Sequence, residues 1–211
     1  QDRIKSNGTS EETGFNVDTL GLWAQFESIS PYGHLSYGFD FYHDNVTSSK
    51  TSYSATGAWV STGIQGTVGD DSTYDIFGFY FQDEISISDK LEMLIGMRYS
   101  YVALDSDKVE NPDTGNEIDI TSDWEGLVGN LRFMYYPSNN WNIFTGVSQG
   151  FRAPNLSDMT RFQADSTFET PTEGLDDEDF ITFEVGGKAN FKKWTAQASY
   201  YYTIVEDMLV R

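Results

Sequence analysis

The chain has 211 residues, 38% hydrophobic and 16% aromatic, with no cysteine, 13 Lys and Arg against 33 Asp and Glu, and a formal net charge of −20. The absence of cysteine excludes disulfides and thiolate-held metals, and the charge has the wrong sign for nucleic-acid phosphates, which are neutralised by Lys and Arg. No run approaches the roughly 18 consecutive apolar residues of a membrane-spanning helix; the mean hydropathy of −0.46 is nevertheless compatible with a transmembrane β-barrel, whose alternating strands dilute the apolar signal.

Helical periodicity is almost absent, and period-2 alternation marks about eight segments as strands. In chain order, the first sets Leu20, Leu22, Ala24 and Phe26 against Gln25 and Glu27. The second sets Leu35, Tyr37, Phe39 and Phe41 against Ser36, Gly38 and Asp40. Phe77, Phe79, Phe81, Ile85 and Ile87 then oppose Gly78, Tyr80, Gln82, Glu84 and Ser86, with Asp83 interrupting the apolar face. The cleanest segment carries Leu91, Met93, Ile95, Met97, Tyr99 and Tyr101 opposite Glu92, Gly96, Arg98 and Ser100. Leu127, Leu131, Phe133 and Tyr135 follow against Asn130 and Arg132; Trp141, Ile143 and Val147 oppose Asn142, Gly146 and Ser148. Ile181, Phe183, Val185 and Phe191 oppose Thr182, Glu184, Lys188 and Asn190. The last segment sets Trp194, Ala196, Ala198, Tyr200, Tyr202 and Ile204 against Thr195, Gln197, Ser199 and Thr203.

The connections alternate strictly between short and long. Short turns lie at 28–33, 86–90, 136–140 and 191–193; long polar loops are expected at about 44–73, 105–123 and 153–179. Collecting every long loop at one end is the habit of an outer-membrane barrel, with short periplasmic turns and long external loops. Aromatic placement agrees: Tyr32, Tyr135, Tyr136, Trp141, Phe191 and Trp194 gather at the short-turn ends, and Tyr42, Tyr99, Tyr101, Trp124, Phe151 and Tyr202 toward the long-loop ends. Two girdles around an apolar band are what amphipathic rings favour at membrane interfaces. The fold expected is all-β, an antiparallel up-and-down transmembrane β-barrel.

Three stretches carry a family likeness. Trp141–Pro154, WNIFTGVSQGFRAP, resembles the strand of TonB-dependent outer-membrane receptors that ends in Gly-Phe-Arg-Ala-Pro at an external loop. Phe77–Tyr101 is similar to a strand pair of the same family, with Gln-Asp-Glu before the turn and Gly-x-Arg-Tyr after it. Leu175–Val210 resembles its Glu-x-Gly-x-Lys strand and the Tyr-rich strand that follows, with Gly186-Gly187-Lys188 keeping the spacing. The resemblance implies about eight strands of a roughly 22-stranded barrel occluded by a plug. It also implies import of a scarce nutrient such as an iron chelate, haem, cobalamin or a glycan, energised by the TonB complex through that plug, and no cofactor. The chain opens at Gln1 without a basic n-region and an apolar h-region, nothing in it resembles the plug, and it reaches Arg211 without the terminal aromatic strand these barrels usually end in. Residues 1–211 are therefore expected to be an internal part of the barrel domain. Its open edges would cost several kcal/mol per unpaired group in hydrocarbon, by order of magnitude. Closure as a small eight-stranded barrel is the structural alternative, and a passive porin or a structural barrel the functional one.

Gly146-Val147-Ser148-Gln149-Gly150 matches the G-x-S-x-G nucleophile elbow in letters. That chemistry needs a strand-to-helix turn and a histidine base, whereas this match lies inside an alternating strand; no catalytic residue is expected. His34 and His43 are too few and too far apart for a protein metal site; His43 near a long-loop end is a candidate ligand to an incoming haem iron, and an interfacial aromatic residue is the simpler reading. Two stretches are dense in carboxylates, Asp105, Asp107, Glu110, Asp113, Glu117, Asp119 and Asp123 in one and Asp176, Asp177, Glu178 and Asp179 in the other; the first lacks the glycine and spacing of an EF-hand, so a solvated face is the simpler reading and calcium the alternative. Glu84, Arg98, Arg132, Arg152, Glu184 and Lys188 form a mixed-charge set that belongs in a polar lumen, since a midplane Arg or Lys facing lipid costs about 2–4 kcal/mol. Arg152 and Arg161, at and beyond the loop signature, are the candidates for an anionic ligand because guanidinium binds carboxylates bidentately.

Overall fold

A computed structural model of the chain describes residues 2–4, 8–29, 31, 33–164 and 168–209. Among the described residues, twelve strands and one short helix follow in order: β1 (Asp2–Ile4), β2 (Ser10–Ile29), β3 (Gly33–Tyr53), β4 (Trp59–Thr62), β5 (Asp70–Ser88), β6 (Leu91–Glu110), β7 (Glu117–Ser138), β8 (Trp141–Arg152), α1 (Leu156–Thr160), β9 (Gln163–Ala164), β10 (Phe168–Glu169), β11 (Glu178–Phe191) and β12 (Trp194–Glu206). Eight long strands form one antiparallel meander, β2-β3-β5-β6-β7-β8-β11-β12, with β1 beside β2 and β4 beside β3. Among the described residues β12 pairs with β11 alone, so the sheet is open and the closed small barrel is not formed.

Register sorts the side chains onto two faces. Opposite pairs such as Phe41–Phe77, Phe77–Tyr101, Ile95–Leu131, Phe133–Thr145 and Val185–Tyr200 place the apolar sets of all eight strands on one side. A single-residue slip would turn every one of them over. These residues are exposed to an unusual degree for a folded chain, among them Phe79 at 48%, Met97 at 43%, Leu127 at 62% and Tyr200 at 67%. An apolar face that is continuous, exposed and aromatic at its margins suits lipid as its solvent.

Strand length departs from the sequence reading. β6 runs 20 residues and β7 runs 22, whereas about 9–11 tilted residues cross the hydrocarbon. Most of the expected 105–123 loop is strand, closed by a turn over 111–116 in which Asn111 Oδ1 accepts from the backbone N–H of Asp113 and Thr114. The expected 44–73 loop likewise shrinks, because β3 continues to Tyr53 and β5 starts at Asp70. Beyond the membrane the outward face is wet, so the apolar-out signal stops where the strand does not. Among the described residues only the 153–179 connection holds a helix.

The girdles are also thinner than expected. Tyr99, Tyr101 and Tyr202 face outward above the band, and Tyr135, Trp141, Phe191 and Trp194 below it, where Phe191 lies 4.5 Å from Trp194 and 6.2 Å, edge-on, from Trp141. Tyr42, Trp124 and Tyr136 stand on the opposite face, which even register dictates, and Phe151 packs inside with Trp124. Tyr136 donates to Glu92 Oε2 at 2.9 Å. Tyr32 lies outside the described residues.

A buried core sits on the inner face at the long-loop end. Val102, Leu104, Val109, Ile120 and Trp124 of the β6–β7 hairpin meet Met159 of α1, with Tyr74, Ile76, Phe151, Leu156 and Leu175 around them. Leu104, Ile120 and Met159 are fully buried, each such side chain being worth about 1.5–3 kcal/mol.

Candidate ligand-facing wall

The inner face carries the charged set, and two of its ion pairs share one design. Arg98 on β6 forks onto Asp40 on β3, Nη1 to Oδ1 at 2.7 Å and Nη2 to Oδ2 at 2.8 Å, passing over β5 at Gly78. A Cβ on Gly78 would collide with the Arg98 guanidinium and stand 2.8 Å from Asp40 Oδ2. Arg132 on β7 reaches Glu184 on β11 at 2.9 Å, passing over β8 at Gly146, which is opposite both. There a Cβ would stand 3.0 Å from Leu131 O and 3.3 Å from Arg132 Cβ. The Arg132 guanidinium also lies 5.9 Å from the centre of the buried Phe144 ring. The missing side chain of the middle strand is what lets a two-strand span be bridged by one Arg and one carboxylate. Glu84 and Lys188 share this face and are exposed on it.

Beside the Asp40–Arg98 pair, Trp23, Phe39, Asp40, Tyr42 and Tyr80 line an open concavity of about 380 Å³. The Tyr80 hydroxyl donates to Gln25 Oε1 at 2.9 Å. Sequence reading placed Tyr42 in a girdle and passed over Trp23. Strict parity along β2 and β3 was the signal available, since Trp23 opposes Asp40 and Tyr42 opposes Gly21.

Arg152 ends β8 and stands opposite Glu178. Its Nη1 donates to Glu178 Oε2 at 2.7 Å and its Nη2 to Asp158 Oδ2 at 2.8 Å, both carboxylate side chains being under a tenth exposed. Asp158 also completes a capping box with Asn155 at the start of α1, and Glu178 Oε1 accepts from Leu209 N at 2.7 Å. The Arg152 hydrogen bond and then the Leu209 N–H hold the Glu178 carboxyl below its ordinary range. Arg152 thus commits its fork to two carboxylates, one on α1 and one at the start of β11. Arg161 follows α1 as its C-cap and is half-buried. His43 lies on the outward face, Nδ1 2.7 Å from Asp75 Oδ1 and opposite Leu20, pointing away from the inner wall.

The loops around α1 are joined by buried polar contacts. Gln65 donates to Thr160 O and accepts from Glu110 N, each at 2.8 Å, and Gly69 N donates to Thr160 Oγ1 at 2.8 Å. Trp124 Nε1 donates to Leu175 O at 2.8 Å. The Tyr74 hydroxyl donates to Pro154 O at 3.0 Å, and burial pushes its pKa up to about 12. Among the described residues no group of three or more His, Asp or Glu could hold a metal ion.

The family model "TonB dependent receptor-like, beta-barrel" matches residues 1–211, the whole chain. The chain belongs to the TonB-dependent receptor β-barrel family. Similar solved structures include the copper transporter OprC, at 13% identity and a TM-score of 0.77, covering 95% of this chain and 32% of that one. The ferric yersiniabactin uptake receptor FyuA of Yersinia pestis matches at 19% and 0.67, covering 95% and 30%. The Serratia marcescens hemophore receptor HasR matches at 17% and 0.67, covering 93% and 34%. This TonB-dependent receptor chain thus spans about a third of the length of those structures. Its outward apolar band is the outer-membrane lipid contact of a receptor wall.

Proposed function

We propose that this wall section serves an active outer-membrane receptor that imports a scarce nutrient as a small-molecule ligand, an iron chelate, haem, cobalamin or a glycan. Energy arrives from the TonB complex through a plug seated against the inner face, and residues 1–211 form part of the barrel domain whose free edges pair with further strands. The observation that carries this reading is the full-length family match on a wall whose inner face is charged and whose outer face is apolar. Glu84, Arg98, Arg132, Glu184 and Lys188 line the lumen, and the two spanning ion pairs keep that lining rigid. Arg152 serves the ligand indirectly, by fixing the loop that carries Arg161. Arg161 is the candidate contact for an anionic cargo.

Uptake of labelled candidates by cells carrying the complete receptor tests the reading. Accumulation should stop when the proton-motive force is collapsed; uptake that persists would point to a passive porin. Arg161→Ala should weaken binding of an anionic cargo roughly tenfold, about 1.4 kcal/mol, and leave a neutral cargo unaffected.

A further inference from the structure

β7 loses its neighbour part-way along. It pairs with β6 from Glu117 to Tyr135, but with β8 only from Asn130 to Ser138. Above that fork β8 stays with β11 up to Arg152 and Glu178, leaving residues 117–129 of β7 with one open edge. Gln149 Oε1 accepts from Gly129 N at 3.1 Å and so satisfies the first group of that edge. In an antiparallel ladder the backbone groups of alternate residues point to opposite neighbours, so Glu117, Asp119, Thr121, Asp123, Glu125 and Leu127 direct theirs the same way as Gly129. Among the described residues no hydrogen bond fills them. An edge of this kind is a template for another strand.

The surroundings select the occupant. The same odd residues carry outward carboxylates at Glu117, Asp119 and Asp123, all exposed, and the paired β6 adds exposed Asp105 opposite Thr121. On the other face of the edge lie Ile120, Trp124, Phe151 and Leu175. A second copy of β7 would stack carboxylate on carboxylate. We propose that the external half of β7 is a docking edge for an extended segment of a partner polypeptide in which Lys or Arg alternates with apolar residues. The main chain of that segment extends the ladder, its basic side chains meet the outward carboxylates, and its apolar side chains cover the rim of the hairpin core.

The test uses the complete receptor in nanodiscs and a fluorescent heptapeptide of alternating Lys and Val, with two comparison peptides: alternating Glu and Val, and the Lys–Val peptide N-methylated on the residues facing the edge. Anisotropy should show saturable binding of the first, at least tenfold weaker binding of the other two, and weakening with salt. Thr121→Pro deletes only an edge-facing N–H, which an edge strand tolerates, and should lower affinity at least tenfold while the receptor keeps its heat-resistant folded band. Asp119→Asn with Asp123→Asn, which leaves the backbone intact, should lower it by a smaller factor. Equal binding of the methylated peptide, or unchanged binding to the folded Thr121→Pro receptor, would overturn the proposal; tighter binding of the Glu–Val peptide would overturn the charge assignment and with it the occupant.

Discussion

The inner-wall glycines do their work by what they lack. At Gly78 a methyl group would occupy the space of the Arg98–Asp40 fork, and overpacking of this kind costs about 1–3 kcal/mol. Gly78→Ala should therefore lower the urea midpoint of the folded barrel. Gly187→Ala, whose nearest contact would be an ordinary 3.5 Å on the lipid side, should leave it unchanged or raise it slightly. Arg152 makes a second case. Arg152→Met leaves the nearly buried Asp158 and Glu178 without their cation, and since the guanidinium is itself two-fifths exposed the loss is expected at about 2 kcal/mol, below the figure for a fully buried pair. Hydrogen exchange at Met159 and Thr160 should report it. Glu178 fixes the pH response: its folded pKa is depressed, so its contribution is complete above the ordinary glutamate range and is lost as pH falls through the depressed value. Protection factors at Met159 should be flat near neutrality and fall in acid, and Glu178→Gln should remove that slope.

At the level of elements, alternation made the wall legible and also set the limit of its legibility. Leu91 to Tyr101 announced β6 because every second residue had to meet lipid, and the register Phe79–Tyr99–Leu127 follows from that demand alone. Above Tyr101 the pattern inverts: Val102, Leu104, Ile118, Ile120 and Trp124 alternate inward onto α1 while Asp105, Asp119 and Asp123 face water. Period 2 continued through what looked like a polar loop, with its apolar phase shifted by one residue. The ligand candidates were less legible because a guanidinium's role depends on its neighbours. Nothing local to Phe-Arg-Ala-Pro says that Asp158 and Glu178 stand ready to occupy Arg152. Nearness to a loop makes His43 a candidate haem ligand and, more simply, an interfacial aromatic residue, and its odd position puts it with Leu35, Phe39 and Phe41 on the outward face. The faces themselves are open to test. Met97→Arg, at mid-band on the outside, should cost about 2–4 kcal/mol, whereas Val128→Arg, on the inner face beside Arg98, should cost much less. Folding titrations into bilayers of defined thickness compare the two.

Across the whole molecule, every long strand pairs with its chain neighbours in antiparallel sense. The wall is therefore a simple zigzag, and its circumference is quantised. Removing one hairpin, such as 91–138, would bring β5 beside β8 with each remaining loop still on its own side of the membrane and each oily face still outward. Removing a single strand would send every later loop to the wrong compartment. Receptors built this way can evolve wider or narrower pores only two strands at a time, and a pore trimmed by one hairpin should still insert with its surviving loops labelled from outside the cell.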